Sequence, residues 1–306
     1  MLRSRRIQPA NLATWLKETI SRTRDGRYAH RLLLEQPASR DIVTVELSAC
    51  IQEAHDDARR RLREALEPTL SPFATRTVDP TAGYPEDLHV DTLMGYFGEI
   101  LAGVIAEQKD VHGERSWRVP VFLFRFHNVA FQKLGQRRDL AAQAATLPDI
   151  DADESKIPGR TGDDVLAFVS APGGDLAGIL VCEAKCLSSH HSATAEKAHQ
   201  QLSTAARCPS GIFETIEALK DYRSDEARVW RERLMAFYFD PSKKVARSDM
   251  LLYATGNRPR RPASRTSWIP QDRPLPEYAG KRRLEVVEVY LDNPSELVKS
   301  LYRPAS

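Results

Sequence analysis

The sequence predicts an α/β fold, a mixed central sheet flanked by helices, with helical elaborations at the N-terminal and C-terminal ends. Three observations predict it. Val165-Leu166-Ala167-Phe168-Val169 and Ile179-Leu180-Val181-Cys182 are apolar on both alternating faces and straddle Pro172-Gly173-Gly174-Asp175, so they read as a β-hairpin of central strands covered on both sides. From about Asp91, the residues Leu93, Tyr96, Phe97, Ile100, Leu101, Val104 and Ile105 recur at helical spacing. Helices at 211–222 and 225–237 then separate the hairpin from two later strands, 249–256 and 283–290.

Taken in order, residues 10–24 read as an accessory helix, Asp41–Leu47 as a short β-branched strand, and Cys50–Leu66 as a charged helix whose Arg59-Arg60-Arg61 run is a solvated face. The Pro- and Thr-rich stretch 69–87 reads as a loop, so residues 1–88 form an N-terminal helical accessory region and 89–306 the main domain. In the helix from Asp91, the face opposite the apolar stripe carries Gly95, Ala102, Gly103 and Ala106 with Glu99 among them. Small residues let a second backbone approach, and a buried carboxylate there requires a cation, a lysine or a metal beside it. Arg118–Phe124 reads as the first core strand and 134–158 as a polar, acidic, solvated loop. His127 is assigned a structural role. Ser192–Ala205 forms a helix, Ser224 caps the helix from 225, and a short capped helix spans 293–302.

Charge and cysteine content exclude several classes. With 44 Lys and Arg against 42 Asp and Glu, the net charge is +2, so any nucleic-acid footprint must be local. The densest basic segment is Arg258–Arg265, followed by Trp268, which marks it as the candidate phosphate contact as well as a basic linker. Cys50, Cys182, Cys186 and Cys208 lack metal-site spacing and read as reduced thiols. No membrane span or secretory leader is read, and a cytoplasmic location is expected.

The chemistry concentrates around the hairpin. Strand alternation sends Glu183 and Lys185 from one face and Cys182, Ala184 and Cys186 from the other. Asp163 and Asp164 stand at the hairpin's entrance. They point to opposite faces, so one of them reaches the site. Asp164 is preferred and Asp163 is the alternative. Carboxylates beside an ammonium suit phosphodiester hydrolysis assisted by Mg²⁺ or Mn²⁺, with the carboxylates as ligands and the lysine ordering water.

At Asp164, Glu183-Ala184-Lys185 and Glu99 the chain resembles the PD-(D/E)XK nuclease superfamily. There an acidic residue opens one strand, Glu-x-Lys lies on the next, and a glutamate from the preceding helix often joins the metal site. The family's proline is absent, with Thr161-Gly162-Asp163 in its place. The resemblance implies a restriction-endonuclease-like core in α-β-β-β-α order over about residues 90–205, with Asp164, Glu183 and Glu99 as Mg²⁺ or Mn²⁺ ligands and Lys185 as catalytic lysine. It further implies that the helix after Glu-x-Lys aims a residue such as Lys197, Gln200 or Gln201 at phosphate. His190-His191 is not expected to bind these oxygen-preferring ions.

The layout is also similar to the HamA family of anti-phage effectors of Hachiman systems. That similarity implies a DNA-cleaving or DNA-nicking effector controlled by a partner helicase. The competing readings are a nuclease-like binding or assembly subunit that no longer cuts, and a stand-alone restriction endonuclease.

Overall fold

Six strands pair into one sheet: β1 (Leu16–Arg22), β2 (Tyr28–Glu35), β3 (Val165–Ser170), β4 (Leu176–Leu187), β5 (Ala246–Thr255) and β6 (Arg283–Tyr290). The computed structural model describes residues 7–66, 81, 83–124, 164–204, 208–240, 245–260 and 265–303. In space the strands run β1-β2-β6-β5-β4-β3. The four inner strands are parallel to one another, and β1 and β3 pair antiparallel with β2 and β4 at the two ends. Parallel neighbours need crossover connections, and helices supply them on both faces. Helices α1 (Pro9–Trp15), α2 (Arg40–Leu66), α3 (Val90–Gln108) and α7 (Pro294–Tyr302) share one core with Cys182, Ala184, Cys186, Val287 and Val289. Helices α4 (Ser192–Thr204), α5 (Gly211–Ala218) and α6 (Asp225–Phe239) share the other with Ile179, Val181, Leu251, Tyr253 and Val286.

The hairpin forms as expected, with Val165 opposite Cys182 and Phe168 opposite Ile179. Helix α3 is buried along nearly its whole length, because two small residues let it settle closely. A Cβ added at Gly98 would lie 3.2 Å from Cys186 Cβ on β4, and one at Gly103 would lie 2.6 Å from the Phe122 ring. Gly95 faces open space, so the close approach is confined to part of the small face. Ser224 caps α6 by accepting the Ala227 N–H, and the late strands and terminal helix form where the pattern places them.

Four expectations are corrected. The helix read at 10–24 stops at Trp15, and Leu16–Arg22 is the exposed edge strand β1. The Asp25-Gly26 turn that follows, with Gly26 at φ +66°, carries the chain back into β2. The N-terminal region therefore supplies two strands of the sheet besides its helices. The strand read at 41–47 lies within α2, where Val43, Leu47, Cys50 and Ala54 turn one face into the core and leave Val45 exposed. Helical burial overrides β-propensity here.

Val119–Phe124 is buried, yet among the described residues the segment forms a single antiparallel bridge, Arg118 with Phe168. Pro120 offers no N–H, and the carbonyls of Phe122 and Leu123 accept from the Arg61 guanidinium at 2.9 and 3.4 Å. Among the described residues β3 is therefore the last strand of the sheet at this side. Arg61 also corrects the solvated reading of the arginine run, since Arg59 and Arg60 pair with Asp56 and Asp57.

His127 and the loop read at 134–158 lie outside the described residues.

Candidate active site

Three of the four candidate residues meet at one end of the sheet. Strand β3 starts at Val165 opposite Cys182, so β4 runs on from Glu183 to Leu187 without β3 beside it. Asp164, the residue before β3, fills the first gap: its Oδ2 accepts the Ala184 N–H at 2.8 Å. This bond fixes the carboxylate against β4 between the two site positions. Lys185 Nζ lies 2.5 Å from Glu183 Oε1 and 3.9 Å from Asp164 Oδ2. The Glu183 side chain is 7% exposed, whereas Lys185 and Asp164 are each 25% exposed, so the cluster opens to solvent from a buried base.

Burial alone would lower the Lys185 pKa, but Glu183, Asp164 and Glu99 together hold it above the ordinary lysine value. Lys185 is therefore an ammonium at neutral pH. The same balance locates the fourth candidate. Glu99, half-buried on α3, lies within electrostatic reach of Lys185 and also raises the hydroxyl pKa of Tyr84 and Tyr302. Those two tyrosines belong to a buried cluster in which His55 Nδ1 meets the Tyr84 hydroxyl at 2.8 Å and Nε2 meets that of Tyr302 at 3.0 Å.

Asp163 lies outside the described residues, so Asp164 is the member of the pair whose position is defined. Lys197 and Gln200 lie on the exposed face of α4, whose buried face is Ala195, Ala198, His199 and Leu202. Neither residue bonds to the cluster among the described residues. His190 is held by the Tyr253 hydroxyl at 2.9 Å and stacks on Trp268, a structural arrangement. Cys182 and Cys186 are buried behind β4, and burial pushes the Cys186 thiol up to about 12.

Among the described residues, no three His, Cys, Asp or Glu side chains come together as a metal cage. Asp164 and Glu183 provide two carboxylates and hence only hard oxygen donors. One or two carboxylates with retained water is how Mg²⁺ is commonly held, so the donor set fits that ion.

Tyr253 was not singled out by sequence reasoning. It pairs with Lys185 in the β4–β5 register, so both side chains share a face, yet an aromatic residue within an apolar strand gives no signal of such a position.

No protein-family model and no curated protein matches the chain. Among the described residues, no helix is long and apolar enough to cross a membrane.

Proposed function

We propose that this chain is a metal-dependent nuclease that cleaves or nicks DNA phosphodiester bonds. The observation that carries the reading is the contact of one ammonium, Lys185, with Glu183 and its approach to Asp164 at the open end of β4. The surrounding order supports it. Helix α3 with Glu99 comes first, then the extended 118–124 segment bridged to β3, then β3, β4 and α4. This order resembles the PD-(D/E)XK core, with the first of its three strands reduced to a single bridge.

Asp164 and Glu183 would hold Mg²⁺ or Mn²⁺, and Glu99 would complete the site from α3. The bound ion supplies Lewis-acid charge that offsets the negative charge developing on phosphorus. The side chains do the rest. Asp164 is tied to β4 by the Ala184 N–H, which keeps its carboxylate against the strand that carries Glu183. Lys185, protonated at neutral pH, donates hydrogen bonds to the attacking water or to a non-bridging phosphate oxygen. Water oxygen bonds to phosphorus and gives up a proton to solvent, the ester P–O bond breaks, and the departing oxygen takes up a proton from solvent. Glu183, nearly buried, holds the Lys185 ammonium beside it at the open end of β4.

The similarity to HamA extends the proposal to an anti-phage defence effector whose cutting is controlled by a partner helicase. A chain of net charge +2 is expected to hold DNA weakly alone, which suits such control.

Supercoiled plasmid incubated with Mg²⁺, Mn²⁺ or chelator tests the proposal, using the wild type, Glu183→Ala and Lys185→Ala, with and without the product of the neighbouring gene. Metal-dependent nicking that both substitutions abolish is the expected result. Absence of cleavage under every condition would favour the non-cutting binding subunit.

A further inference from the structure

The end of the sheet that holds Lys185 also holds an array of arginines without carboxylate partners. The register aligns Lys185 on β4, Tyr253 on β5 and Glu288 on β6, so these three side chains form one row across one face. Tyr253 and Glu288 each anchor a loop at this end. The Tyr253 hydroxyl accepts from the His191 N–H at 3.0 Å and bonds His190 Nδ1 at 2.9 Å. Buried Glu288 accepts the Trp268 N–H at 2.7 Å and the Ile269 N–H at 3.2 Å, and its remaining contacts are His30 and the Tyr290 hydroxyl. Asn257 ties the loops together: its Oδ1 accepts the His190 N–H and its carbonyl accepts the Trp268 indole N–H at 2.8 Å. The His190 and Trp268 rings then stack with centroids 4.2 Å apart.

Three exposed arginines lie in the chain segments beside this platform: Arg258 and Arg260 just after Asn257, and Arg265 just before Trp268. Arg258 lies over the Tyr290 ring, and Arg265 lies over Trp268 while donating to the carbonyls of Ser267 and Trp268. Among the described residues none of the three pairs with a carboxylate. Some exposed arginines elsewhere do, as Arg228 with Asp225 and Glu232 and Arg273 with Asp272, and those that do not, such as Arg24 and Arg223, lie apart from this end of the sheet in the sequence. In a chain whose charges nearly cancel, unpaired cations gathered on a braced surface are a local anion footprint.

We infer that Arg258, Arg260 and Arg265 grip the phosphate backbone of the nucleic acid whose scissile phosphate lies at Lys185. The inference rests on the nuclease reading of that site and adds where the strand runs. Strands lie about 4.8 Å apart, so Glu288 stands roughly 10 Å from Lys185 along the row. The platform that Glu288 braces therefore lies within a few nucleotides' reach of Lys185, a duplex strand rising about 3.4 Å per nucleotide along its axis.

The test is binding of a short labelled DNA duplex to the full chain in chelator, which blocks metal-dependent cleavage, followed across a salt series. The combined Arg258→Ala, Arg260→Ala and Arg265→Ala variant is expected to bind at least about tenfold more weakly. Its slope of log affinity against log salt should be shallower by about two to three, the loss for three phosphate contacts. The corresponding triple Lys variant should keep the slope, which separates lost charge from lost folding, and Arg228→Ala with Arg273→Ala should change nothing. An unchanged slope in the triple Ala variant, no salt-dependent binding by the wild type, or equal affinity for polyglutamate would each overturn the inference. Cleavage is read separately. Loss of slope with no metal-dependent cutting would refute the nuclease reading and leave the grip standing, whereas cutting with an unchanged slope would do the reverse.

Discussion

Lys185 Nζ lies 2.5 Å from Glu183 Oε1, two residues apart on the same face of β4. Glu183 is nearly buried, and the ammonium offsets much of the cost of keeping a charge there. Lys185→Met should therefore lower stability by about 1–3 kcal/mol, and the double variant with Glu183→Gln should lose less than the two single losses added together. Denaturant titration of the four proteins measures this. Strict additivity would mean that the pair is not coupled.

Helix α3 should tolerate little growth at its two contact glycines. A Cβ at Gly103 would strike the Phe122 ring at 2.6 Å, and one at Gly98 would press on Cys186. Gly103→Ala is expected to cost about 1–3 kcal/mol through overpacking, despite the better helix propensity of alanine. Gly98→Leu should also push Glu99 away from Lys185, so any nuclease activity should fall further than stability does. Thermal melts beside activity assays separate the two effects, and a Gly103→Ala protein as stable as wild type would contradict the packing.

Much of this could be read from the pattern because each element had its own signal. The hairpin, α3, the α5–α6 pair and the last two strands combine clear periodicity with turn or cap residues, and Glu183 and Lys185 follow from strand alternation alone. Where reading failed, a non-local partner decided the outcome. Ile42-Val43-Thr44-Val45 has a strand's composition, but the core beneath it selects a helical face. Arg118–Phe124 has a strand's composition as well, but Arg61, remote in sequence, takes two of its carbonyls. The Asp25-Gly26 turn did carry a local signal for β1 and β2. The Lys185-Tyr253-Glu288 row had none, because register between distant strands is not written in either strand.

Acid should destabilise the protein through His55. Burial first, and then the charge of Arg59, pushes its pKa down to about 3 from the ordinary 6.5. The folded state thus binds fewer protons than the unfolded state between those values, and stability falls as pH drops from about 6.5 toward 3. His55→Gln should remove a pH-dependent loss on the order of 3–5 kcal/mol across that window. Denaturant unfolding at several pH values tests this, and an unchanged pH slope in the variant would contradict the assignment.

Asp57 works in the opposite direction. Burial raises it to about 6 against the pull of Arg60 and Arg61, and the Tyr222 hydroxyl donates to its Oδ2. A raised carboxyl pKa means that the folded state binds more protons between about 4 and 6, so stability falls as pH rises through that window. Relative to wild type, Asp57→Asn should be more favourable at pH 7 than at pH 4 by about 2–3 kcal/mol, the equivalent of the shift. Equal differences at the two pH values would show that Asp57 is not perturbed.

Manganese binding tests the central claim most directly, because it needs neither substrate nor partner. Electron paramagnetic resonance of free Mn²⁺ titrated with the purified chain should reveal bound metal in the wild type, with binding sharply weakened in Asp164→Asn and Glu183→Gln. Lys185→Met should retain or strengthen it, since removing the ammonium leaves the carboxylates to the ion. No Mn²⁺ bound by the wild type, or equal binding by all four proteins, would contradict a metal-dependent site at Asp164 and Glu183.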